Sequence, residues 1–500
     1  MRLRVPLLFA SVAALAGAVT LAAGGADFES RAALVEEARL SEAFAAVAVK
    51  AERPMPWPTF VDLRYREFKG DGDVAEGDLP RDPDAAIWLA ILDREYRTQA
   101  KLLFLEGGKL PPVPEDRWVS LAEIEQEIMP ALRHGAAGHV EEEIEAEAGE
   151  LVARARSLYE LSWEGLQLVP GATAEEGWGP VAPESEAGAH VAALTEAYRQ
   201  GEAEAMYEAA SQLGATLAGQ AGYPPAAKVK LEIYLEKFAL LKIAFFGYLL
   251  SSLLFFAWAA FRRKTLASAA VIVAAVAFLF MTAGLTIRSI VAGYLPTTGM
   301  YEYLVLFSWA AVLVFLVFYL KTRQAFLGTI VMPVAFLLIV LSSLFPSKIE
   351  GQLIPALQSW WLTIHVTLAC LGEGAFAVGF AAAVLYLFRG DKPGRILPPK
   401  DTLDLIEYRA VAIGYPLFTI GALVAGAIWA QKAWSVWWSW DPKETASLVV
   451  FLVATAYLHA RRLRGWRGRR SAILAILIFL LAVATLFSNM IFGGLHSYGV

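Results

Sequence analysis

Residues 262–291 read RRKTLASAAVIVAAVAFLFMTAGLTIRSIV: three basic residues, then an apolar run in which Arg288 is the one charge. A helix needs about 20 apolar residues to cross a bilayer, and this run supplies them. The same unit recurs to the C-terminus. Eight apolar segments follow one another, at about 238–260, 265–291, 303–320, 325–345, 360–388, 408–430, 445–460 and 471–492, each near spanning length. Basic clusters fall in alternate connections: Arg262-Arg263-Lys264; Lys321 and Arg323; Arg389, Lys392 and Arg395; and Arg461-Arg462 through Arg469-Arg470. The positive-inside rule puts these four on the cytoplasmic side. The connections 292–302, 346–359 and 431–444 and the tail 493–500 then lie outside. The expected fold class is an all-α polytopic membrane protein.

The region before these spans has a different composition. Residues 25–236 carry 40 Asp and Glu against 19 Lys and Arg, a net of −21, whereas 237–500 carry 9 against 22, a net of +13. An acidic, water-soluble domain over 25–236 is thus joined to a basic membrane domain over 237–500, consistent with 57% hydrophobic residues and a mean hydropathy of +0.49 for the whole chain. The first 24 residues, MRLR and then an apolar run, form either a cleaved signal peptide or a retained signal anchor, and both direct the acidic domain outward. Mixed apolar and charged faces predict helices over 30–52, 140–163 and 185–218. The run Pro54-Met55-Pro56-Trp57-Pro58 breaks the first of these from the rest. His134, His139 and His190 are scattered without ligand spacing and read as surface residues. The single cysteine, Cys370, excludes a disulfide framework, and with no CxxCH the chain does not itself carry covalent haem.

The outer connection before the seventh span reads Trp429-Ala-Gln-Lys432-Ala-Trp434-Ser-Val-Trp437-Trp438-Ser-Trp440-Asp441-Pro442-Lys443-Glu444-Thr445. Five tryptophans crowd into twelve residues. An interfacial aromatic belt would spread its rings over many helices. Their concentration here favours a flat aromatic platform for a large planar ligand. Asp441-Pro442-Lys443-Glu444 also carries the signature of a helix start: a capping carboxylate, proline at the first turn and a capping-box Glu.

Three histidines accompany the spans. His365 lies just inside the outer end of 360–388 and His496 in the outer tail. His459 falls 18 residues beyond Asp441, roughly 27 Å along a helix, and so near the cytoplasmic boundary. Two outer imidazoles beside an aromatic platform suit axial ligation of haem iron.

The segments Trp438-Ser-Trp440-Asp441-Pro442-Lys443-Glu444-Thr445, Tyr457-Leu458-His459-Ala-Arg461 and Leu495-His496-Ser497-Tyr498-Gly499 resemble the tryptophan-rich WWD haem-handling family. More narrowly, they resemble its CcsA (ResC) members, subunits of the system II cytochrome c synthase. Ile364-His365-Val366 is similar to that family's first external histidine. Arg288 through Gly293, Pro296 and Tyr301-Glu302 are similar to its Arg…Gly-His-x-Pro…Tyr-Glu segment. The resemblance covers roughly 230–500; residues 57–130 and 225–250 faintly resemble the extramembrane insert of fused CcsB–CcsA proteins. Ser435 stands where the family has Gly, Ala446 where it has an aromatic residue, and Tyr294 where it has His.

The resemblance implies cytochrome c biogenesis at a bacterial inner or plasma membrane. Haem b, bound transiently as substrate, would pass from His459 to an outer site. There it would lie against Trp434, Trp437, Trp438 and Trp440 with His365 and His496 as axial ligands, and with Asp441 and Glu444 beside it. Arg288, Lys432 and Lys443 are candidate partners for its propionates. The reduced thiols of an apocytochrome c CxxCH would then add to the haem vinyl groups. A CcsB-like (ResB-like) membrane subunit and a thiol-reducing pathway are the implied partners, and no nucleic acid is. Three rivals remain open: a haem exporter or chaperone without synthase activity, a b-type electron-transfer cytochrome, and a system I protein of the CcmF or CcmC kind.

Overall fold

The computed structural model describes residues 28–496 except 45–46, 52–53, 75–76, 136–141, 172–176, 346, 348, 350–352 and 390–397. The expected signal segment, His139, Lys392, Arg395 and the end of the tail, Ser497 to Val500, lie outside the described residues. The chain divides into two compact units, Met1–Ile233 and Tyr234–Val500.

The first unit is mainly helical. Its helices are α1 (Phe28–Glu37), α2 (Leu40–Phe44), α3 (Trp57–Lys69), α4 (Pro83–Leu92), α5 (Arg94–Gln99), α6 (Leu121–Glu123), α7 (Met129–Gly135), α8 (Glu142–Tyr159), α9 (Glu186–Gln200) and α10 (Ala203–Ala218). Among the described residues, three short antiparallel strand pairs interrupt them: β1 (Ala48–Lys50) with β2 (Pro54–Pro56), β3 (Leu103–Leu105) with β4 (Arg117–Val119), and β5 (Val169–Pro170) with β6 (Trp178–Gly179). Edge-to-face and tilted aromatic packing fills the core. Trp57 and Trp88 sit 4.6 Å apart, and Phe44 meets each of them at 5.0 Å.

Two expected helices are broken. The one over 30–52 stops at Glu37, Arg39 takes a positive φ of 45°, and Val49 pairs with Met55. The buried run Val47-Ala48-Val49 is better satisfied as a strand edge than as helix. The one over 185–218 is two helices, because Gly201 adopts φ 73° and turns the chain back; this left-handed cap favours glycine.

The second unit carries the eight expected spans, each long and apolar enough to cross a membrane, so the chain is an all-α polytopic membrane protein. After α11 (Ala226–Phe238), which crosses the unit boundary, these are α12 (Leu240–Phe261), α13 (Lys264–Ala292), α14 (Met300–Thr322), α15 (Gly328–Ser342), α16 (Trp360–Phe388), α17 (Lys400–Phe418), α19 (Pro442–Leu463) and α20 (Arg469–Phe492). The sixth span does not end with α17. It continues through a π turn at Thr419–Ala425 into α18 (Gly426–Trp434).

α16 is the central helix, and its glycines explain why. A Cβ on Gly374 would lie 2.7 Å from the Ala310 carbonyl carbon of α14, and one on Gly372 would lie 2.6 Å from the Phe418 backbone nitrogen. Only small residues let neighbouring backbones approach this closely where no hydrophobic effect drives helices together. At the ends of α17, α19 and α20 remote from the Trp loop, Arg461 binds Asp404 at 2.7 Å. Gly468 N donates to the same carboxylate at 2.8 Å, and Tyr457 donates to buried Glu407 at 2.9 Å. This network ties the three helix ends together and so fixes how α19 presents its opposite end.

Candidate functional site

The start of α19 is built as the sequence predicts. Asp441 is the N-cap, Pro442 opens the first turn, and Glu444 closes a capping box. Glu444 Oε2 accepts from Ser439 N at 2.8 Å, Ser439 Oγ at 3.1 Å and Asp441 N at 3.2 Å. These bonds hold Trp440 in its left-handed conformation, φ 60°, which an aromatic residue adopts only under tertiary constraint. Ser435, at φ 61°, likewise occupies a backbone position suited to glycine.

Asp441 does more than cap. It is 5% exposed, yet four donors converge on its carboxylate: Lys443 N at 2.9 Å, Asn489 Nδ2 at 3.1 Å, Leu495 N at 2.7 Å and His496 Nδ1 at 2.8 Å. Burial would raise its pKa, but the His496 ring and the converging hydrogen bonds outweigh it and hold the carboxyl well below the usual range. A depressed folded-state value means that the stabilisation is present above the ordinary carboxylate range and is lost only on strong acidification. The ionised carboxylate accepts, so His496 Nδ1 carries the proton and Nε2 is left as an acceptor or metal ligand. Gly494 makes the closure possible: at φ 136°, a Cβ there would lie 2.3 Å from Asp441 Oδ2.

His365 is fixed in the same sense by different means. Its Nδ1 lies 2.9 Å from Gly421 O, within the π turn. A carbonyl can only accept, so the proton is again on Nδ1 and Nε2 is free. The His365 ring stacks on Trp429 at 5.8 Å and 10°, and the His496 ring tilts against the same indole at 5.3 Å. Trp429 is 2% exposed and anchored by its Nε1, which donates to Ala356 O at 2.8 Å. One cavity is lined by His365, His496, Trp429, Trp438, Lys443 and Glu373, together with apolar side chains of α14, α16, the π turn and α20.

The remaining predicted residues are distributed differently. The tryptophans do not make one flat platform. Trp438 lines the cavity, Trp434 packs beside Trp429 at 4.8 Å and 63° and against His496, and Trp438 and Trp440 stand at 90°. Trp437 and Trp440 are 59% and 69% exposed and do not line the cavity. Edge-to-face packing is the favoured arrangement of adjacent rings, and it wins over coplanarity here. Arg288 is not directed to the cavity. Its guanidinium is buried against Glu302, with Nη2 at 3.0 Å and Nε at 3.1 Å from Oε1, and over the Tyr301 ring. Breaking such a buried pair is costly, so Glu302 holds this charge. Lys432 is exposed and outside the cavity lining, whereas Lys443 lines it. His459 is exposed on α19, away from the cavity. In the first unit His190 is half-buried on α9, and nothing is described of the His134 side chain.

Sequence reading passed over Trp429 as a site residue, and Glu373, Tyr303 and Asn489 altogether. Glu373 carried a signal: an acidic residue in the middle of an apolar span marks function by its cost.

Comparisons of the sequence with known proteins point to cytochrome c assembly. The family model described as cytochrome c assembly protein matches residues 297–496. Proteins named cytochrome c biogenesis protein CcsA are similar over the membrane half. The one from Trieres chinensis is 34% identical over 287 residues, 50% of this chain and 90% of its own length. That from Gloeobacter violaceus is 34% identical over 318 residues, 51% and 94% respectively, and that from Guillardia theta 38% over 241 residues, 42% and 79%. A solved chain titled Cytochrome c Heme Lyase CcmF aligns at TM-score 0.42 and 19% identity, over 50% of this chain and 46% of that one, too weakly to carry an argument. With relatives covered over most of their length at this identity, the chain belongs to the CcsA family of cytochrome c biogenesis proteins.

Proposed function

We propose that the cavity binds haem b as a transient substrate between His365 and His496, and presents it for covalent attachment to the CxxCH of an apocytochrome c. The observation that carries this reading is the pair of histidines whose Nδ1 atoms are each held by a fixed acceptor, Gly421 O and Asp441, while both rings rest on Trp429. Iron prefers imidazoles oriented by such acceptors. Trp438 supplies an aromatic wall, and Lys443 is the propionate partner within the cavity lining. Haem would bring the vinyl groups and its iron; the chain's residues orient it and exclude water. Each thiol adds across a vinyl group, the sulfur to the inner carbon and a proton to the terminal one, with no net oxidation. A reductant is required only to keep the thiols and iron reduced, which makes a thiol-reducing pathway and a CcsB-like subunit the partners.

His459, near the basic end of α19, is the first haem ligand on the cytoplasmic side in this reading. The test is reconstitution of the full chain with a CcsB-like subunit, reduced apocytochrome c and haem. Thioether-linked cytochrome is expected. Haem export without thioether formation would establish the chaperone reading instead. In the same preparation, His459→Gly should lower the co-purified haem while leaving externally added haem able to bind; unchanged haem content would remove His459 from the path.

The orientation follows from the alternating basic connections. A reporter active only outside the cytoplasm should be active when fused at Ala433 and silent at Arg464. The opposite pattern would invert the scheme, placing the acidic unit, the Trp loop and the haem site on the cytoplasmic side.

A further inference from the structure

At the end of the bundle remote from the Trp loop, the connection between α19 and α20 reads Arg461-Arg462-Leu463-Arg464-Gly465-Trp466-Arg467-Gly468-Arg469-Arg470, six arginines in ten residues and no lysine. The turn is held in place. Trp466 N donates to Ala460 O at 3.0 Å, and Gly468 N donates to Asp404 of α17 at 2.8 Å. Gly465 and Gly468 take positive φ of 64° and 72°, which lets the chain fold back. A Cβ on Gly468 would lie 2.6 Å from the Tyr386 hydroxyl oxygen, so the turn also sits tight against the end of α16. Asp404 is fully engaged by this scaffold: it accepts from Arg461 at 2.7 Å, from Gly468 N and from Ser471 Oγ. It therefore neutralises one guanidinium. The other five, on Arg462, Arg464, Arg467, Arg469 and Arg470, are exposed. Among the described residues none of the five forms an ion pair, and Arg470 lies over the Trp466 ring at 5.6 Å.

Membrane orientation needs a positive connection, and any mixture of lysine and arginine supplies one. A fixed turn built with arginine alone is more specific. The guanidinium fork matches phosphate oxygens bidentately, where lysine offers a point charge. α19 and α20 are membrane spans, so the turn between them lies at headgroup level, where lipid phosphates are the nearest anions. Leu463, 71% exposed, and Trp466, 36% exposed, give the same turn the apolar part that an interface accepts. We propose that the turn 462–470 is a docking surface for the headgroup of an anionic phospholipid, whose phosphate is held by the exposed arginines. The preformed backbone spares the lipid the cost of ordering the loop. The bound headgroup then joins Asp404 in fixing the ends of α19 and α20.

The test is titration of the full chain in a neutral detergent with phosphatidylglycerol or phosphatidylcholine, with bound lipid counted by native mass spectrometry. Phosphatidylglycerol should bind, phosphatidylcholine should not, and added salt should weaken the binding. An arginine close to an anionic lipid surface contributes about fivefold in affinity. Arg464→Gln, Arg467→Gln and Arg469→Gln together should therefore lose about 100-fold. Lysine at the same three positions keeps the charge and should lose less than about tenfold. The same charge removed from another connection at this end, by Arg262→Gln, Arg263→Gln and Lys264→Gln together, should cost less than about threefold. Equal losses in the two glutamine triples would mean a diffuse field and overturn the proposal. Full loss in the lysine triple would trace the effect to the fold of the turn and also overturn it. So would equal binding of phosphatidylcholine, or displacement of the lipid by inorganic phosphate at matched ionic strength, which would mark a free-phosphate site.

Discussion

His365→Gly and His496→Gly are each expected to reduce cytochrome c maturation by about two orders of magnitude, the loss that corresponds to roughly 3 kcal/mol of iron ligation. Added imidazole should restore part of it, because removing the side chain leaves a space into which the free ligand fits. Rescue should be stronger at His496. Its surroundings are the N-terminal turn of α19 and a tail that reaches the site through Gly493 and Gly494, both at positive φ. His365 is held within the helix wall against Trp429 and the π turn. The measurement is the yield of covalent cytochrome c with and without imidazole, alongside the haem spectrum of each purified variant. Normal yield in both variants would take these residues out of the chemistry and reduce the cavity to a structural void.

Asp441→Asn separates two roles that the sequence could not. Asparagine caps a helix about as well as aspartate, so α19 should start normally and stability should change by only a few tenths of a kcal/mol from the cap alone. What is lost is the ionised acceptor that holds the proton on His496 Nδ1 while also taking Leu495 N and Asn489 Nδ2. Loss of a group that orients a metal ligand weakens binding by about 10–100-fold. Haem affinity of the purified variant should fall by that amount with the helical content unchanged. Native affinity in Asp441→Asn would show that the residue is a cap and nothing more.

The eight spans were legible because hydropathy and length are properties of single segments. The histidine pair and the capping box were legible because residue type and local spacing carry them. What was not legible depends on packing between segments. Trp429 closes the quoted loop at its N-terminal end, yet its role comes from lying between His365, 64 residues before it, and His496, 67 after it. The flat platform failed because the mutual angle of neighbouring indoles is set by the helices that carry them. The partner of Arg288 was not legible because Glu302 lies in the next helix; their pairing at 3.0 Å is a tertiary fact. The helix over 30–52 failed for a related reason: pairing with Pro54–Pro56 outbid local propensity.

The π turn at Thr419–Ala425 sets the phase between two halves of one span. Gly421 O takes both Gly426 N, five residues on, and the His365 ring. In an uninterrupted α-helix that oxygen would bond four residues ahead, and everything beyond would be rotated by about 100° per residue of difference. Removing a single residue from 419–425 is therefore a change of angle more than of length. It would swing Trp429 off both imidazoles and take its indole N–H away from Ala356 while leaving hydropathy and span length almost untouched. Two chains that look alike in hydropathy can thus differ by one residue here and place the indole and the two imidazoles in quite different relations.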